Sequence, residues 1–269
     1  VGPEAGELAC GWVGAGRLAE PQAICAAATD LLVGSERRDL SGRRILVTAG
    51  PTFEALDPVR FIGNRSSGKM GFALAAAAAR RGAAVTLVAG PVHLPTPPRV
   101  HRIDVESAAE MAAAVLPAAQ PSAAAAEVIV MCAAVADFRP AAVATNKLKK
   151  QVLGARPTVE LVPTVDILAE LGRSRAPGGP LLVGFAAETT AVEDYARRKL
   201  VEKRCDVIIA NDVAAPDSGF GTDTNRVTLF TDAGPGQPPR VLPLPLLTKV
   251  ETAERIWDHL AALLAGRSA

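Results

Sequence analysis

The sequence predicts an α/β fold, a doubly wound, mostly parallel sheet closed by an antiparallel C-terminal extension. Three observations point there. Short apolar runs alternate with helix-length segments between residues 43 and 210. Those runs show no polar alternation, as expected of strands covered by helices on both faces. The polar and glycine-bearing loops at 49–68, 133–150, 185–190 and 210–225 each follow the end of a strand, where open α/β sheets place ligands.

The first strand is read at 43–48 (RRILVT), followed by a long Gly/Pro/Ser loop at 49–68. The spacing predicts a helix over Lys69–Arg81, ended by Gly82, which tolerates the left-handed cap conformation. A strand at 84–89 (AVTLVA), a four-proline loop at 90–99 and a short strand at 100–105 come next. Ser107 is placed to cap an alanine-rich helix reaching about Leu116. A buried strand follows at 127–135 (EVIVMCAAV), then a lysine-bearing connection at 138–157 and a short helix at 164–171. Residues 181–185 read as a strand, 192–204 as a charged amphipathic helix and 206–210 as a strand. Residues 227–230 and 240–242 supply the antiparallel end, and 247–264 the closing helix. Residues 1–40 lack a strand pattern and hold one expected helix at Pro21–Leu32. A boundary is therefore placed at 39–42, giving a first unit at 1–40 and a second at 41–269.

Composition narrows the function. With 269 residues, 49% hydrophobic and 21% charged, the chain can build a sizeable core, which excludes disorder as its dominant state. A net charge of +1 argues against a general nucleic-acid binder. No apolar stretch reaches the ~18 residues of a membrane span. Cys10, Cys25, Cys132 and Cys205 are scattered without a C-x-x-C pair, so neither a zinc site nor a disulfide framework is expected, and a reducing cytoplasm fits. His93, His101 and His259 lie far apart, which gives no support to a histidine metal site or a Ser-His-Asp triad. Val1 is followed by no charged and apolar leader, so no signal peptide is expected, and the start reads as a cut inside a longer chain.

Two nucleotide signatures nearly match. Gly14–Ala19 fits G-x-G-x-x-A, but no strand precedes it and Glu20-Pro21 interrupts the helix it should open. Gly63–Met70 fits G-x4-G-K, yet Met70 stands where a phosphate loop needs Ser or Thr for magnesium. The segment still informs. Ser66, Ser67 and Gly68 start a helix whose free N–H groups favour an anion, and Lys69 adds charge; an ordinary helix cap explains the same residues. Asn64 can orient a carboxylate or stabilise an oxyanion, or simply build a turn. Ala133–Pro140 ends a buried strand with small residues against which a flat ligand can lie. Asp137 can accept from ribose hydroxyls, ligate a metal or cap a turn. Lys147, Lys149 and Lys150 share one loop, as a solvated charge run or as partners of a polyphosphate. Phe185 can pack a base or fill core, and Lys199 and Lys203 share a helix face. Asn211-Asp212 and Phe220–Asn225 read as turns. From these residues alone the chain is an α/β nucleotide- or anion-binding enzyme.

The stretches ILVTAGPT…LDPVRFIGNRSSGKMGFALA, CAAVADFRPA…KLKK, VGFAAET and IIANDV…TDTNRVTLF, in that order from about Leu40 to Leu264, closely resemble the bacterial CTP-dependent phosphopantothenate–cysteine ligases. Residues 6–21 resemble the end of the flavin-dependent phosphopantothenoylcysteine decarboxylase that many bacteria fuse upstream, with Trp12 where that family usually has aspartate. The resemblance implies a Rossmann-like sheet and a ligase that forms an acyl-cytidylate from 4′-phosphopantothenate and CTP with Mg²⁺. L-cysteine then captures this intermediate. It implies that Asn64 positions the acyl-cytidylate and that Lys147 supports the chemistry at the nucleotide. Met131, Cys132, Ala133, Asp137, Val165, Asp166, Ile167, Leu168, Phe185, Lys199 and Lys203 would line the CTP site. Gly50, Ser66, Ser67, Gly68 and Lys69 would hold substrate phosphate, and Asp137 is the candidate metal ligand. Cys10 matches the decarboxylase proton donor, which acts with FMN only in the intact decarboxylase. A homodimer is expected from the resemblance, with the 147–150 loop and an exposed strand edge at 227–230 as its polar and edge features. The competing class, a nicotinamide-dependent oxidoreductase, lacks its glycine signature, because Thr48–Thr52 follows the first strand instead. A non-catalytic binding module would need neither Asn64 nor Lys147.

Overall fold

The computed structural model describes residues 1–8, 10–21, 24–25, 28, 37–122, 125–149, 158–188, 192–212, 221–234 and 236–267. Most of the helix expected at 21–32, part of the 138–157 connection and residues 213–220 lie outside them.

An eight-stranded sheet forms the centre, its strands lying side by side in the order 240–243, 227–231, 207–212, 181–188, 128–131, 44–49, 84–89 and 100–104. Its parallel part comprises β3 (Arg44–Ala49), β6 (Ala84–Ala89), β7 (Val100–Asp104), β8 (Val128–Met131), β11 (Leu181–Glu188) and β12 (Val207–Asp212). The sheet ends in two antiparallel strands, β14 (Val227–Thr231) and β15 (Arg240–Pro243). The antiparallel extension is thus present, but β15 covers β14. Val227, Leu229 and Phe230 are buried, so the edge expected at 227–230 is formed by Arg240–Pro243 instead.

Helices cover both faces. On one, α1 (Lys69–Arg80) packs against α5 (Lys249–Arg267). Its alanines let the helices and sheet approach closely, and Trp257 fills the space between, its indole N–H donating to the Leu74 carbonyl at 2.9 Å. At Gly71 a Cβ would fall 2.5 Å from that of Ala49, so only glycine lets α1 sit this low on β3. On the other face lie α2 (Ala108–Val115), α3 (Ile167–Ser174) and α4 (Val192–Glu202). Met111, Val115, Ile167, Leu171, Ala196 and Leu200 fill this second core. Ser107 caps α2 as expected, its Oγ accepting from Glu110 N.

Short hairpins depart from the expectations. The loop at 49–68 contains β4 (Phe53–Ala55) paired with β5 (Phe61–Gly63), with Phe53 stacked on Phe61. β9 (Phe138–Pro140) pairs with β10 (Leu161–Pro163). Residues 1–40, read as strandless, hold β1 (Glu4–Glu7) paired with β2 (Val13–Arg17), so Gly14–Gly16 lies in a strand rather than a connector. No helix among the described residues is long and apolar enough to cross a membrane.

Candidate functional site

The chain runs from β3 to β6 and β7 on one side and returns through β8 to β11 and β12 on the other. The strand order therefore switches between β3 and β8, which marks the carboxyl ends of this pair as the expected ligand crevice. Two buried threonines join the loops there. Thr48 Oγ1 accepts from the N–H groups of Cys132 and Ala133 at 3.1 and 3.0 Å, and Thr52 Oγ1 from that of Ala136 at 2.9 Å. Pro51 and Ala134 form a parallel bridge, with Ala134 N donating to Gly50 O at 2.9 Å. The two loops make one surface.

A cleft of about 680 Å³ opens on that surface, large enough for a nucleotide. Most of the expected positions line it. Asn64, Ser66, Ser67, Gly68 and Lys69 form one wall; Met131, Cys132, Ala133 and Asp137 form the floor and rim; Val165, Asp166, Ile167, Leu168, Phe185, Lys199 and Lys203 form the other wall. Asn64 follows β5 and donates from Nδ2 to the Ala134 carbonyl at 2.9 Å, which orients its amide at the junction of the loops. Gly68 is the N-cap of α1 in the left-handed region, φ 76°, and no side chain caps the helix. The helix thus presents backbone N–H groups and its positive dipole end to the cleft.

Three expected residues are not among those lining the cleft. Gly50, at φ +80°, packs behind Gly68: a Cβ on Gly68 would lie 3.5 Å from Gly50 Cα. It therefore supports the helix start from beneath. Lys147 is exposed on its own loop. Cys10 is exposed at the β1–β2 turn.

Asn211, Asn225 and Lys249 line the cleft too, beyond what the sequence reading selected. They come from the end of β12, from β13 (Thr224–Asn225) and from the first residue of α5; β13 pairs with β16 (Leu247–Thr248). Asn211 had one legible signal, its place at the end of an apolar strand. Lys249 reads as an ordinary helix-start lysine, yet it is buried and donates to the Thr222 carbonyl.

The charges are arranged in single lysine pairs. Lys69 Nζ donates to Asp223 Oδ1 at 2.6 Å and Gly221 O at 3.3 Å. This contact holds the Asp223 carboxyl below its usual range. Lys203 pairs with Asp166, which also caps α3 by accepting from Ala169 N at 2.9 Å. Burial disfavours the Asp166 anion, but these bonds and the charges of Lys203 and Lys199 outweigh it and lower its pKa. Burial, then the nearby Lys69 charge, holds the Lys249 ammonium below the ordinary lysine value. Burial pushes the Cys132 thiol up to about 12, so it is a neutral wall rather than a nucleophile.

Among the described residues no three His, Cys, Asp or Glu side chains cluster to hold a metal by themselves. Two exposed carboxylates line the cleft, Asp166, which is paired with Lys203, and Asp137; a single carboxylate such as Asp137 fits a divalent cation only where other oxygen ligands share it. The described part of residues 1–40 is largely an exposed hairpin.

A family model for the DNA/pantothenate metabolism flavoprotein C-terminal domain matches residues 40–264. The coenzyme A biosynthesis bifunctional protein CoaBC of Vibrio cholerae is 52% identical over 233 residues, covering 87% of this chain and 56% of that protein. Its Escherichia coli K12 counterpart is 50% identical over 246 residues, 90% of this chain and 57% of that protein. The chain thus spans little more than half the length of these curated relatives. Among solved structures, the C-terminal domain of a CoaBC protein is 43% identical, with a TM-score of 0.69 over 85% of this chain and 99% of that one. A DNA/pantothenate metabolism flavoprotein from Streptococcus pneumoniae, 22% identical over 82% of this chain and all of that one, shares the fold with a TM-score of 0.64.

Proposed function

The chain belongs to the DNA/pantothenate metabolism flavoprotein C-terminal domain family, and on that premise we propose that it serves coenzyme A biosynthesis as a CTP-dependent phosphopantothenate–cysteine ligase. The observation that carries the reading is Asn64, locked onto the Ala134 carbonyl between the start of α1 and the strand-end floor. An oriented amide there, beside an uncapped helix start and a floor of small residues, supports reading the cleft as one that takes an anion and a base.

The reaction proceeds in two steps. The carboxylate of 4′-phosphopantothenate attacks the α-phosphorus of CTP, forming an acyl-cytidylate as pyrophosphate leaves. The amine of L-cysteine then attacks the acyl carbon; the amide forms, the amine sheds a proton and CMP leaves. Asn64 orients the acyl group and donates to its developing oxyanion. The start of α1, with Ser66, Ser67 and Lys69, holds phosphate. The cytidine half lies between the floor at Met131–Ala133 and the wall at Val165–Leu168, beside Phe185, with Lys199 and Lys203 near its polar groups. Asp137 would hold Mg²⁺ with the phosphates, offsetting repulsion between the two anions. Lys147 reaches this site from its loop when substrate is bound. The acting species is a cytoplasmic homodimer. Decarboxylation with FMN and Cys10 belongs to a complete decarboxylase domain, not to residues 1–40 alone.

Thermal shift against CTP, ATP and NADH, each with Mg²⁺, tests the reading. A selective CTP shift is expected, with pyrophosphate release that requires CTP and phosphopantothenate together. Equal turnover with ATP, or a shift with NADH alone, overturns it.

A further inference from the structure

We propose that Asp57 is a positioning residue whose buried carboxylate ties the Lys147 loop to the hairpin that presents Asn64. The inference rests on the ligase reading for its kinetic consequence and on geometry for the tie itself.

Asp57 stands at the turn between β4 and β5, and its side chain is fully buried. Its two oxygens do different work. Oδ1 accepts from the backbone N–H groups of Val59 and Arg60, both at 2.9 Å, and so builds the turn. Oδ2 accepts from Arg60 Nε and an Arg60 terminal nitrogen at 3.0 and 2.5 Å, and from the N–H of Leu148 at 3.0 Å. Arg60 also donates to the Leu148 carbonyl at 2.8 Å. Both backbone groups of the residue after Lys147 are therefore held by one ion pair 88 to 91 residues away. A second tie runs alongside, from Ala144 N to Leu56 O at 3.0 Å. The Arg60 guanidinium, helped by the three N–H donors, keeps the Asp57 carboxyl well below the usual range against the opposing effect of burial. The tie therefore stays charged at working pH.

A lysine has a long, flexible stem, and where its ammonium can reach is set by its backbone. The hairpin that carries the tie runs directly into Asn64. One rigid turn thus sets the spacing of two groups that the sequence separates by 83 positions. Misplacing a reacting group by about 1 Å can cost ~10²-fold in rate.

Asp57→Asn separates the two roles. The amide keeps an acceptor for Val59 and Arg60 but turns a donor toward Leu148 N–H and Arg60. In the full chain, without substrate, amide exchange at Leu148 is expected to speed up at least about tenfold, while the amides of Val59 and Arg60 stay protected. CTP-dependent turnover is expected to fall ~10- to 100-fold. The double variant with Lys147→Gln is expected to be no slower than Lys147→Gln alone, because both changes remove the same contribution. Unchanged exchange at Leu148, or losses that add, overturns the proposal. Exchange needs no turnover. If the wild-type chain makes no product, the ligase reading falls while the tie is still decided. If Asp57→Asn fails to fold, Arg60→Lys keeps a cation beside Asp57 but cannot span to the Leu148 carbonyl, and the same cycle applies.

Discussion

The two ends of the central sheet both carry charged clefts, and they handle charge differently. At the amino ends lies the larger groove, about 1010 Å³, lined by Arg43, Arg44, Arg175, Arg204 and Arg267. There one carboxylate answers two guanidinium groups: Glu127 pairs with Arg43 and Arg44, and Asp206 with Arg175 and Arg267. Backbone carbonyls at Ala125, Gly179, Pro180 and Arg204 take further arginine donors, and Asp206 also accepts from Leu182 N at 2.7 Å. At the carboxyl ends the cleft is smaller and its cations are lysines, two of them on exposed carboxylates: Lys69 on Asp223 and Lys203 on Asp166, whose side chains are 87% and 51% exposed. Planar guanidinium forks fix geometry, whereas a lysine exchanges one anion for another easily. Size favours the amino-end groove, whereas exchangeable pairing favours the carboxyl-end cleft on which the proposed function rests.

The largest expected effect sharpens this assignment. Asn64→Asp sets a carboxylate against the Ala134 carbonyl and the anionic intermediate, and should lower turnover ~10²–10³-fold while CTP binding survives in part. Single-turnover kinetics beside a CTP thermal shift check it. A normal rate in this variant would break the comparison.

At the other end the expected effect is on stability. Asp206→Ala leaves two arginines and the Leu182 N–H without their shared acceptor and should cost about 3 kcal/mol in urea unfolding, with turnover kept in the folded fraction. Glu127→Gln should cost about 1 kcal/mol at pH 7. Its penalty depends on pH. Burial opposes the Glu127 anion, but Arg43, the Arg44 N–H and both guanidinium charges prevail, so its folded pKa lies below the unfolded value. That stabilisation is present above the unfolded pKa of about 4.3 and is lost as pH falls through the folded one. The gap between wild type and Glu127→Gln should therefore narrow below about pH 4. A constant gap would remove the ionic component from the account.

The smallest effect tests the exchangeable pairs. Asp223→Asn should leave Tm unchanged while pyrophosphate binds roughly two- to fivefold more tightly, because Lys69 no longer gives up a carboxylate partner to receive it. Weaker binding would make Asp223 part of the anion site instead.

The sheet was legible because its strands are continuous apolar runs, and β6 matches its expected bounds at 84–89. The hairpins β1–β2, β4–β5 and β9–β10 were not. Strands of three to five residues carry too little periodicity, and β1–β2 is rich in glycine and exposed. Much of the cleft was legible from the small residues at strand ends and from the resemblance they carry. Asn225 and Lys249 were hidden because they meet through the two-residue strands β13 and β16, which carry no periodicity and pair across the last two strands of the sheet. Lys147 shows the converse: residue type marks it as chemically apt, but no spacing rule says where its loop comes to rest.

The threonine joint between the loops after β3 and β8 has a consequence in time. Its hydrogen bonds link residues 84 and 85 positions apart, and such distant closures come late when a chain folds from local contacts outward. A half-folded chain with β3, α1, β6, β7 and α2 in place would own the cleft wall at the start of α1 but none of the floor at Met131–Ala133. On the proposed function, nucleotide would then recognise only chains in which β8 has docked. In a refolding experiment, added CTP should slow unfolding and leave the early folding rate untouched.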